Sequence, residues 1–229
     1  MNGLIHIGLA AIILTGNARA SIVEDDLKAL FTMGNLQIAA IGLGVAGGVH
    51  TWDHDLEGEL QGSVLFDHPS AITNIYGSSH FNLPVALGVW GVGRLADRPA
   101  LEHTGSAALR TLSLTQLVVG PIKWAVRRDR PDQSSQLSFP SGHTANSFAL
   151  ARLMHRQYGL RVGVPLYIVS ALTGAGRIEG DKHYLSDVVM GAVLGTLVGQ
   201  AVTLERGGRL RALPQLSANG PQLVLYVKF

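Results

Sequence analysis

A basic cluster between positions 123 and 131 has the spacing to bind an anion. Lys123 and Arg130 are seven residues apart, which is two helical turns, so one continuous helix would place both cations on one face. Pro131 disfavours helical geometry in the residue before it, and we therefore expect the helix to end at Arg130. The alternative for this cluster alone is a solvated basic helix end.

A second segment, Pro140-Ser141-Gly142-His143, precedes a helix-like apolar run. The unpaired N–H groups at the start of a helix, together with the helix dipole, favour an anion. Gly142 lacks a side chain, so an oxygen atom can approach its backbone closely, and His143 can carry a proton beside it. A capped helix start with an incidental histidine is the alternative for this segment by itself.

A third cluster combines a histidine, a carboxylate and a cation. His183 and Asp187 are four residues apart, which would make them neighbours on a helix. A carboxylate that accepts one imidazole N–H fixes the tautomer and leaves the other ring nitrogen free as a nucleophile. Arg177 supplies a third cation. The alternative for the His–Asp pair is helix stabilisation by a few tenths of a kcal/mol, roughly.

Together the three clusters resemble the type 2 phosphatidic acid phosphatase (PAP2) superfamily. Its signature is Lys-x6-Arg-Pro, then Pro-Ser-Gly-His, then Ser-Arg-x5-His-x3-Asp, and the matching residues run from Lys123 to Asp187 in that order and spacing. Gly176 stands where the family usually has serine, which puts one hydroxyl contact to phosphate in doubt. The superfamily also includes vanadium haloperoxidases, whose equivalent histidine holds vanadate and which are typically much larger.

The resemblance implies a phosphoric ester hydrolase that needs no metal or other cofactor. His183, oriented by Asp187, would attack phosphorus and form a phosphohistidine, and His143 would protonate the leaving oxygen and then activate water. The implied phosphate-binding groups are three cations, a serine and a helix start: Lys123, Arg130, Arg177, Ser141 and Gly142. Three positive charges can supply the stabilisation that a metal ion provides elsewhere.

Composition narrows the class of protein. Cysteine is absent, which excludes disulfides, zinc thiolate sites and cysteine nucleophiles. The net charge of +2 is too small to indicate nucleic-acid binding. Apolar residues make up 47% of the chain and charged residues 15%, against a usual charged share of roughly 25%. Such a composition favours a helical protein in or near a membrane, or one with much buried helix.

The substrate is expected to be a phosphate ester, and its class is open at this stage. The apolar composition favours a lipid phosphate monoester or diphosphate, with possible membrane association. A soluble periplasmic acid phosphatase acting on small esters is the alternative, and a vanadium-dependent haloperoxidase is a more distant one. A non-catalytic helical scaffold is a hypothesis from another class, which three correctly spaced motifs disfavour.

The first twenty residues have the pattern of a secretory signal peptide. An apolar run from Leu4 to Leu14, interrupted by His6, is followed by Ala18-Arg19-Ala20, with small residues where a signal peptidase cleaves. No Lys or Arg precedes the run, and an ordinary N-terminal helix is the alternative. We therefore predict a signal peptide over residues 1–20 and a protein of the cell envelope, soluble or membrane-associated on the periplasmic side.

Helical periodicity dominates the remaining chain. We predict an all-α, PAP2-like bundle of about six helices over residues 21–212, with a short β-like tail over 213–229. The predicted helices are Ser21–Asn35, Leu36–Val49, Phe81–Leu95, Ala107–Val126, Thr144–Tyr158, Gly163–Ala175 and Leu185–Leu204. Most of the uncharged runs are shorter than the roughly 17 residues that a membrane span requires. Their lengths favour a globular bundle over six membrane spans.

Two further patterns suggest other sites. Gly42, Gly44 and Gly47 spell a dinucleotide-binding fingerprint, but no alternation of strands and helices follows, so close helix packing through small residues is the better interpretation. The triplet Asp53-His54-Asp55 suggests a metal site. Since neighbouring side chains point in different directions on any regular element, we interpret it as a solvated segment.

Overall fold

The structure is a computed structural model that describes residues 17–53, 75–204, 210–217 and 220–227. The described α-helices are α1 (Asn17–Leu30), α2 (Met33–Val49), α3 (Ser79–Leu95), α4 (Pro99–Val126), α5 (Gly142–Tyr158), α6 (Leu160–Glu179) and α7 (Leu185–Ala201). A 3-10 turn, His50–Trp52, continues α2. The helical class predicted from the sequence is confirmed, whereas most of the predicted signal peptide lies outside the described residues.

Two strands follow the helices, β1 (Leu210–Ser217) and β2 (Gly220–Val227). They pair antiparallel, with Leu210 opposite Val227 and Ser217 opposite Gly220. The two strands together cover residues 213–217 and 220–227 of the tail that the sequence predicts as β-like.

Helix α4 ends where its periodicity predicts, at Val126, and does not continue to Arg130 as the basic cluster leads us to expect. Its last helical residue is Val126, and Arg127 adopts a left-handed conformation with φ 48° and ψ 46° while donating its N–H to the carbonyl of Lys123. The prediction that one helix carries both Lys123 and Arg130 is therefore wrong. Lys123 lies in the last turn of α4 and Arg130 in the loop after it. The left-handed Arg127 ends the helix three residues before Arg130, the position where Pro131 is expected to end it.

Helices α5 and α7 run in parallel and pack at backbone distance through glycines of α7. A Cβ atom added to Gly195 would lie 2.1 Å from the carbonyl oxygen of Ala145, and one added to Gly191 would lie 2.6 Å from that of Ser141. Only glycine permits such an approach. The contact places the first turns of both helices, and with them the second and third motifs, at the same end of the bundle.

Both N-terminal helices are fixed to the rest of the bundle. In α1 the buried Asp26 pairs with Arg110 of α4 and accepts the N–H of Thr203 at 2.6 Å. In α2 a Cβ atom added to Gly42 would lie 2.5 Å from Val193 of α7. Small-residue packing therefore explains Gly42, but nothing lies within 4 Å of a Cβ atom added to Gly44 or Gly47.

A helix that spans a membrane needs both sufficient length and sufficient hydropathy. Among the described helices, none meets both requirements alone. Residues Ser21–Leu30 and Met33–Trp52 meet them when taken together, with a bend of 49° between the two segments.

Candidate active site

His183 and Asp187 come together at the start of α7. His183 is 2% exposed, and its Nδ1 atom lies 3.6 Å from Oδ2 of Asp187. The sequence places both residues on one helix, which is wrong in detail because α7 begins at Leu185. Asp187, in the first turn, instead faces back along the chain and accepts the N–H of Tyr184 at 2.9 Å.

The Nδ1 side of the His183 ring also faces Ser138. The Ser138 hydroxyl lies 3.4 Å from Nδ1 and donates to Oδ2 of Asp187 at 2.5 Å. Both oxygen-bearing groups lie on the Nδ1 side, so they leave the Nε2 atom of the ring uncontacted. Burial acts to raise the pKa of Asp187, but hydrogen bonds from His183 and Ser138 outweigh it and hold that pKa below its ordinary value, so the carboxylate stays ionised.

Three cations gather beside this pair. Burial, together with the positive charges of Arg130 and Arg177, lowers the pKa of Lys123 to about 8, although the Asp187 carboxylate opposes this effect. Burial and the charge of Arg130 likewise lower the pKa of Arg177 to about 10. These mutual effects indicate that the three cationic side chains lie close to one another.

Two of the cations have defined local environments. The Lys123 ammonium donates to the carbonyl oxygens of Leu137 at 2.6 Å and Ser138 at 3.1 Å. Within the described part of the chain, the Nε atom of Arg130 is buried without a hydrogen-bond partner. A buried guanidinium N–H of this kind is available to an anion.

The loop that carries Arg130 is held against the segment before His183. The N–H of Asp132 donates to the carbonyl of Asp181 at 3.1 Å. The carboxylate of Asp132 pairs with the ammonium of Lys182. The hydrogen bond from Lys182 holds the pKa of Asp132 far below its ordinary value. The loop thus brings the first motif beside the third.

His143 lies in the first turn of α5, within the field of the same cations. Burial is the largest of the effects that lower its pKa to about 3, and the charges of Arg177, Arg130 and Lys123 contribute to the same shift. The pKa of His183 is lowered to about 4, again mainly by burial, although its hydrogen bond to Asp187 raises it. Both imidazoles are therefore neutral at pH 7.

The start of α5 contributes backbone N–H groups, though not all of those predicted. Ser141 is the buried N-cap, and its own N–H donates to the carbonyl of Asp187 at 2.9 Å. Gly142 and His143 follow, before the first N–H that has an acceptor four residues earlier. A Cβ atom added to Gly142 would lie 3.7 Å from Cε of Lys123, so this helix start faces the cations.

Comparison with known proteins decides the family. Residues 105–209 match the PAP2 superfamily. The decaprenylphosphoryl-5-phosphoribose phosphatase of Mycobacterium tuberculosis is 34% identical over 166 residues, which are 66% of this chain and 89% of that protein. The chain belongs to the PAP2 superfamily. As the sequence resemblance implies, this PAP2 protein is a phosphoric ester hydrolase.

Other relatives match over shorter stretches or in fold alone. The lipid A 1-phosphatase of Porphyromonas gingivalis is 46% identical over 81 residues, which are 34% of this chain and 18% of that protein. The crystal structure of a transmembrane PAP2-type phosphatidylglycerolphosphate phosphatase from Bacillus subtilis superimposes with a TM-score of 0.59 at 23% identity, covering 73% of this chain and 92% of that one. That of LpxE from Aquifex aeolicus gives 0.54 at 21% identity, covering 65% and 92%.

Sequence reasoning missed several groups that surround the Asp187 carboxylate of this PAP2 protein. Arg128 donates to Oδ1 of Asp187 at 2.8 Å and to Oδ2 of Asp53 at the same distance. The interpretation of Asp53 as part of a solvated segment is wrong, because it is 1% exposed. The remaining members of the predicted triplet lie outside the described residues. Arg128 could have been noticed within the basic cluster, whereas no local pattern identifies Asp53.

Proposed function

We propose that this protein hydrolyses a lipid phosphate monoester or diphosphate through a phosphohistidine at His183. The observation that carries the proposal is the placement of a buried imidazole, held at Nδ1 by Asp187 and Ser138, beside three cations. A neutral imidazole fixed at Nδ1 presents the lone pair of Nε2 to an electrophile. The cations and the start of α5 would stabilise the phosphoryl oxygens.

The proposed reaction has two steps. In the first, Nε2 of His183 attacks phosphorus, the bond to the leaving oxygen breaks, and His143 gives that oxygen a proton. The phosphorylated ring is cationic, and Asp187 stabilises it through Nδ1–H. In the second, His143 takes a proton from a water molecule that attacks phosphorus, the N–P bond breaks, and inorganic phosphate leaves.

Proton donation by His143 requires that its pKa rise when substrate binds. The charges of the cations help to lower that pKa to about 3. A phosphate dianion between the cations and the imidazole offsets their field, so the bound substrate itself would raise the pKa of the acid that it needs.

Phosphate binding would involve Lys123, Arg130 and Arg177, the N–H groups of Gly142 and His143, and the hydroxyl of Ser141. The Ser141 hydroxyl also lies 2.9 Å from that of Thr144, so its contact to phosphate would be shared. At Gly176 the chain offers no hydroxyl where the family usually has serine.

The surface of the helices favours a lipid as the leaving group. Large apolar side chains are exposed along α2 and α6: Leu36, Ile38, Ile41, Leu43 and Val45 on α2, and Leu160, Val162, Val164, Ile168 and Leu172 on α6. Exposed apolar surface on this scale is typical of contact with a membrane or with a large apolar partner. The names of the lipid A and decaprenylphosphoryl phosphatases point the same way. We infer a site on the periplasmic side of the cell envelope.

The test of the chemistry compares His183→Ala with His155→Ala. His155 lies in the same bundle, on α5, about 18 Å along the helix from His143 at 1.5 Å per residue, and contacts Arg152 and Tyr167. We expect His183→Ala to lose at least about 10³-fold in turnover of a phosphate ester and to form no acid-labile phosphoenzyme after a quench. His155→Ala should keep wild-type turnover and should form the phosphoenzyme. Full activity in His183→Ala would refute the mechanism.

The test of the substrate class is a panel of lipid phosphates in mixed micelles against p-nitrophenyl phosphate. A lipid enzyme should show a kcat/KM for at least one lipid phosphate well above that for the soluble ester. The pair Ile41→Ser and Leu43→Ser should weaken binding to phospholipid vesicles and turnover of the lipid, with p-nitrophenyl phosphate turnover unchanged. Equal preference for both substrates would instead favour a soluble acid phosphatase.

Inhibitors test the remaining alternatives. Vanadate should inhibit phosphate ester hydrolysis, and EDTA should not. Halide oxidation in the presence of vanadate and peroxide would indicate the haloperoxidase branch.

A further inference from the structure

A buried network connects the end of α2 to the carboxylate behind the nucleophile. Asp53, immediately after the 3-10 turn, accepts the backbone N–H of Ser186 through Oδ1 at 2.9 Å and the Ser186 hydroxyl through Oδ2 at 2.7 Å. Arg128 lies between Asp53 and Asp187 and donates to both. The side chains of the two carboxylates are fully buried, and that of Arg128 is 19% exposed.

Arg128 is held in this position from several sides. Its NH1 group donates to the Ser186 hydroxyl at 2.6 Å, and its guanidinium stacks 4.0 Å from the centre of the Tyr184 ring. His50, at the start of the 3-10 turn, places Nδ1 at 2.6 Å from Oδ2 of Asp53. A planar guanidinium with fixed donors suits this bridging role, which an ammonium could not fill with the same geometry.

From this geometry we propose that Asp53 is a positioning residue, which orients Asp187, and through it His183, by capping the first turn of α7 and sharing the charge of Arg128. The inference rests on the phosphohistidine mechanism proposed above. Asp53 contacts neither the substrate nor the nucleophile. It acts on His183 indirectly, through Arg128 and Ser186 and then through Asp187.

The capping role follows from the place of Ser186 in α7. It is the second helical residue, so its N–H has no acceptor within the helix. The Asp53 carboxylate supplies that acceptor from a distant part of the chain and adds negative charge at the positive end of the helix dipole. Because Asp187 is the next residue, the same hydrogen bond fixes the turn from which the catalytic carboxylate projects.

The charge-sharing role follows from the count of ionic groups. One guanidinium serves two buried carboxylates, so each receives part of its field. If Asp53 were neutral, Arg128 would act more fully on Asp187 and weaken the hold of that carboxylate on the imidazole N–H. Both this effect and the lost negative charge would make the protonated form of His183 less favourable.

Asp53 lies outside residues 105–209, the part of the chain that matches the family as a whole. The active site therefore depends on a segment that the motifs do not include. It also depends on α2, which carries exposed apolar side chains such as Ile41 and Leu43.

The chain contains a matched control for this proposal. Asp26 is another buried aspartate of the N-terminal helices, and it too pairs with an arginine and accepts a backbone N–H from the region of α7. Its partners are Arg110 and Thr203, at the opposite end of α7 from Asp187. Asp26→Asn thus removes the same charge and the same kinds of contact, without a connection to the nucleophile.

The experiment compares Asp53→Asn with Asp26→Asn in the full chain, with rates normalised to the folded fraction. We expect Asp53→Asn to lower kcat by about 10- to 100-fold, as for other partners that orient a catalytic ligand, with KM within about threefold. The acid limb of the pH profile of its kcat/KM, which reports the protonation of His183, should move to lower pH by about half a unit or more. Asp26→Asn should lower thermal stability and leave the acid limb in place.

If Asp53→Asn behaves like Asp26→Asn in kcat and in the acid limb, the proposal is overturned. Should Asp53→Asn fail to fold, Ser186→Ala removes one hydroxyl of the network without unpairing a buried charge. It should lower kcat by roughly 3- to 10-fold at unchanged KM, whereas Ser170→Ala, at a buried serine bonded within its own helix, should not. Equal kcat in these two serine variants would also overturn it. His183→Ala separates the two proposals: if it stays active, the phosphohistidine mechanism fails first.

Discussion

The Nδ1 atom of His183 lies 3.6 Å from Oδ2 of Asp187, although His183 precedes the helix that carries Asp187. The carboxylate reaches back over the start of α7 and accepts the N–H of Tyr184 as well. One side chain therefore both caps the helix and orients the imidazole. The stability of α7 and the chemistry of the site are consequently linked at Asp187.

Replacing Asp187 with asparagine tests this link. The amide keeps the size of the side chain but offers an NH2 group as well as an oxygen, so the imidazole tautomer is no longer fixed. We expect kcat to fall by about 10³- to 10⁴-fold, the loss seen when the orienting aspartate of a catalytic triad is changed in this way. Asp25→Asn, an exposed position on α1, should have no effect in the same steady-state assay. A loss below tenfold would contradict the role of Asp187.

The pKa of His143 should respond to anion binding. Burial and the nearby cations lower it to about 3, and a phosphate dianion would cancel much of the second effect. We therefore expect saturating inorganic phosphate to raise that pKa, as measured by NMR titration of histidine ring carbons in the His183→Ala protein. The His155 signal serves as the internal control. An unchanged His143 titration in the presence of phosphate would place the anion elsewhere.

The affinity for phosphate should fall as pH rises through the pKa of Lys123, which burial and the neighbouring arginines lower to about 8. The charged form of Lys123 predominates below that pH and is lost above it. If binding requires this one proton, the affinity for phosphate should fall by up to about tenfold per pH unit above the pKa. Inhibition by inorganic phosphate should thus weaken above pH 8 in the wild type. This pH dependence should disappear in Lys123→Met and persist in Lys28→Met, which changes an exposed lysine on α1.

Two glycine substitutions should have opposite effects on stability. In Gly195→Ala the new methyl group would lie 2.1 Å from the carbonyl oxygen of Ala145, so α5 and α7 must separate. We expect a loss of at least about 2 kcal/mol in the free energy of unfolding. In Gly44→Ala nothing lies within 4 Å of the methyl group, and higher helix propensity should add up to about 1 kcal/mol. Denaturant unfolding monitored by circular dichroism measures both, and equal values would contradict the close packing of α5 on α7.

Much of the fold and the motif residues could be predicted from the sequence because their signals are local. Apolar runs with helical periodicity predicted α2, α3, α5 and α7 to within a few residues, and fixed spacing predicted the proximity of His143, His183 and the cations. Where the prediction failed, a local conformation overrode the pattern. The left-handed Arg127 ended α4 before Arg130, which no residue preference at that position indicates.

The network around Asp53 could not be predicted for a different reason. Asp53 and Ser186 are separated by 133 residues, and nothing in either local sequence refers to the other. A lone aspartate in a polar segment is most often solvated. Its burial depends on how α2 packs on α7, through Gly42 and Val193, and that contact exists only in the folded protein.

The shared direction of α5 and α7 has an electrical consequence. Each helix carries about half a positive elementary charge at its N-terminus, and the two termini lie at one end of the bundle, His143 in the first turn of one helix and His183 just before the other. The backbone itself therefore makes this end of the protein electropositive. Even a chain stripped of Lys123, Arg130 and Arg177 would retain a weak attraction for phosphate, since peptide groups cannot be removed by substitution.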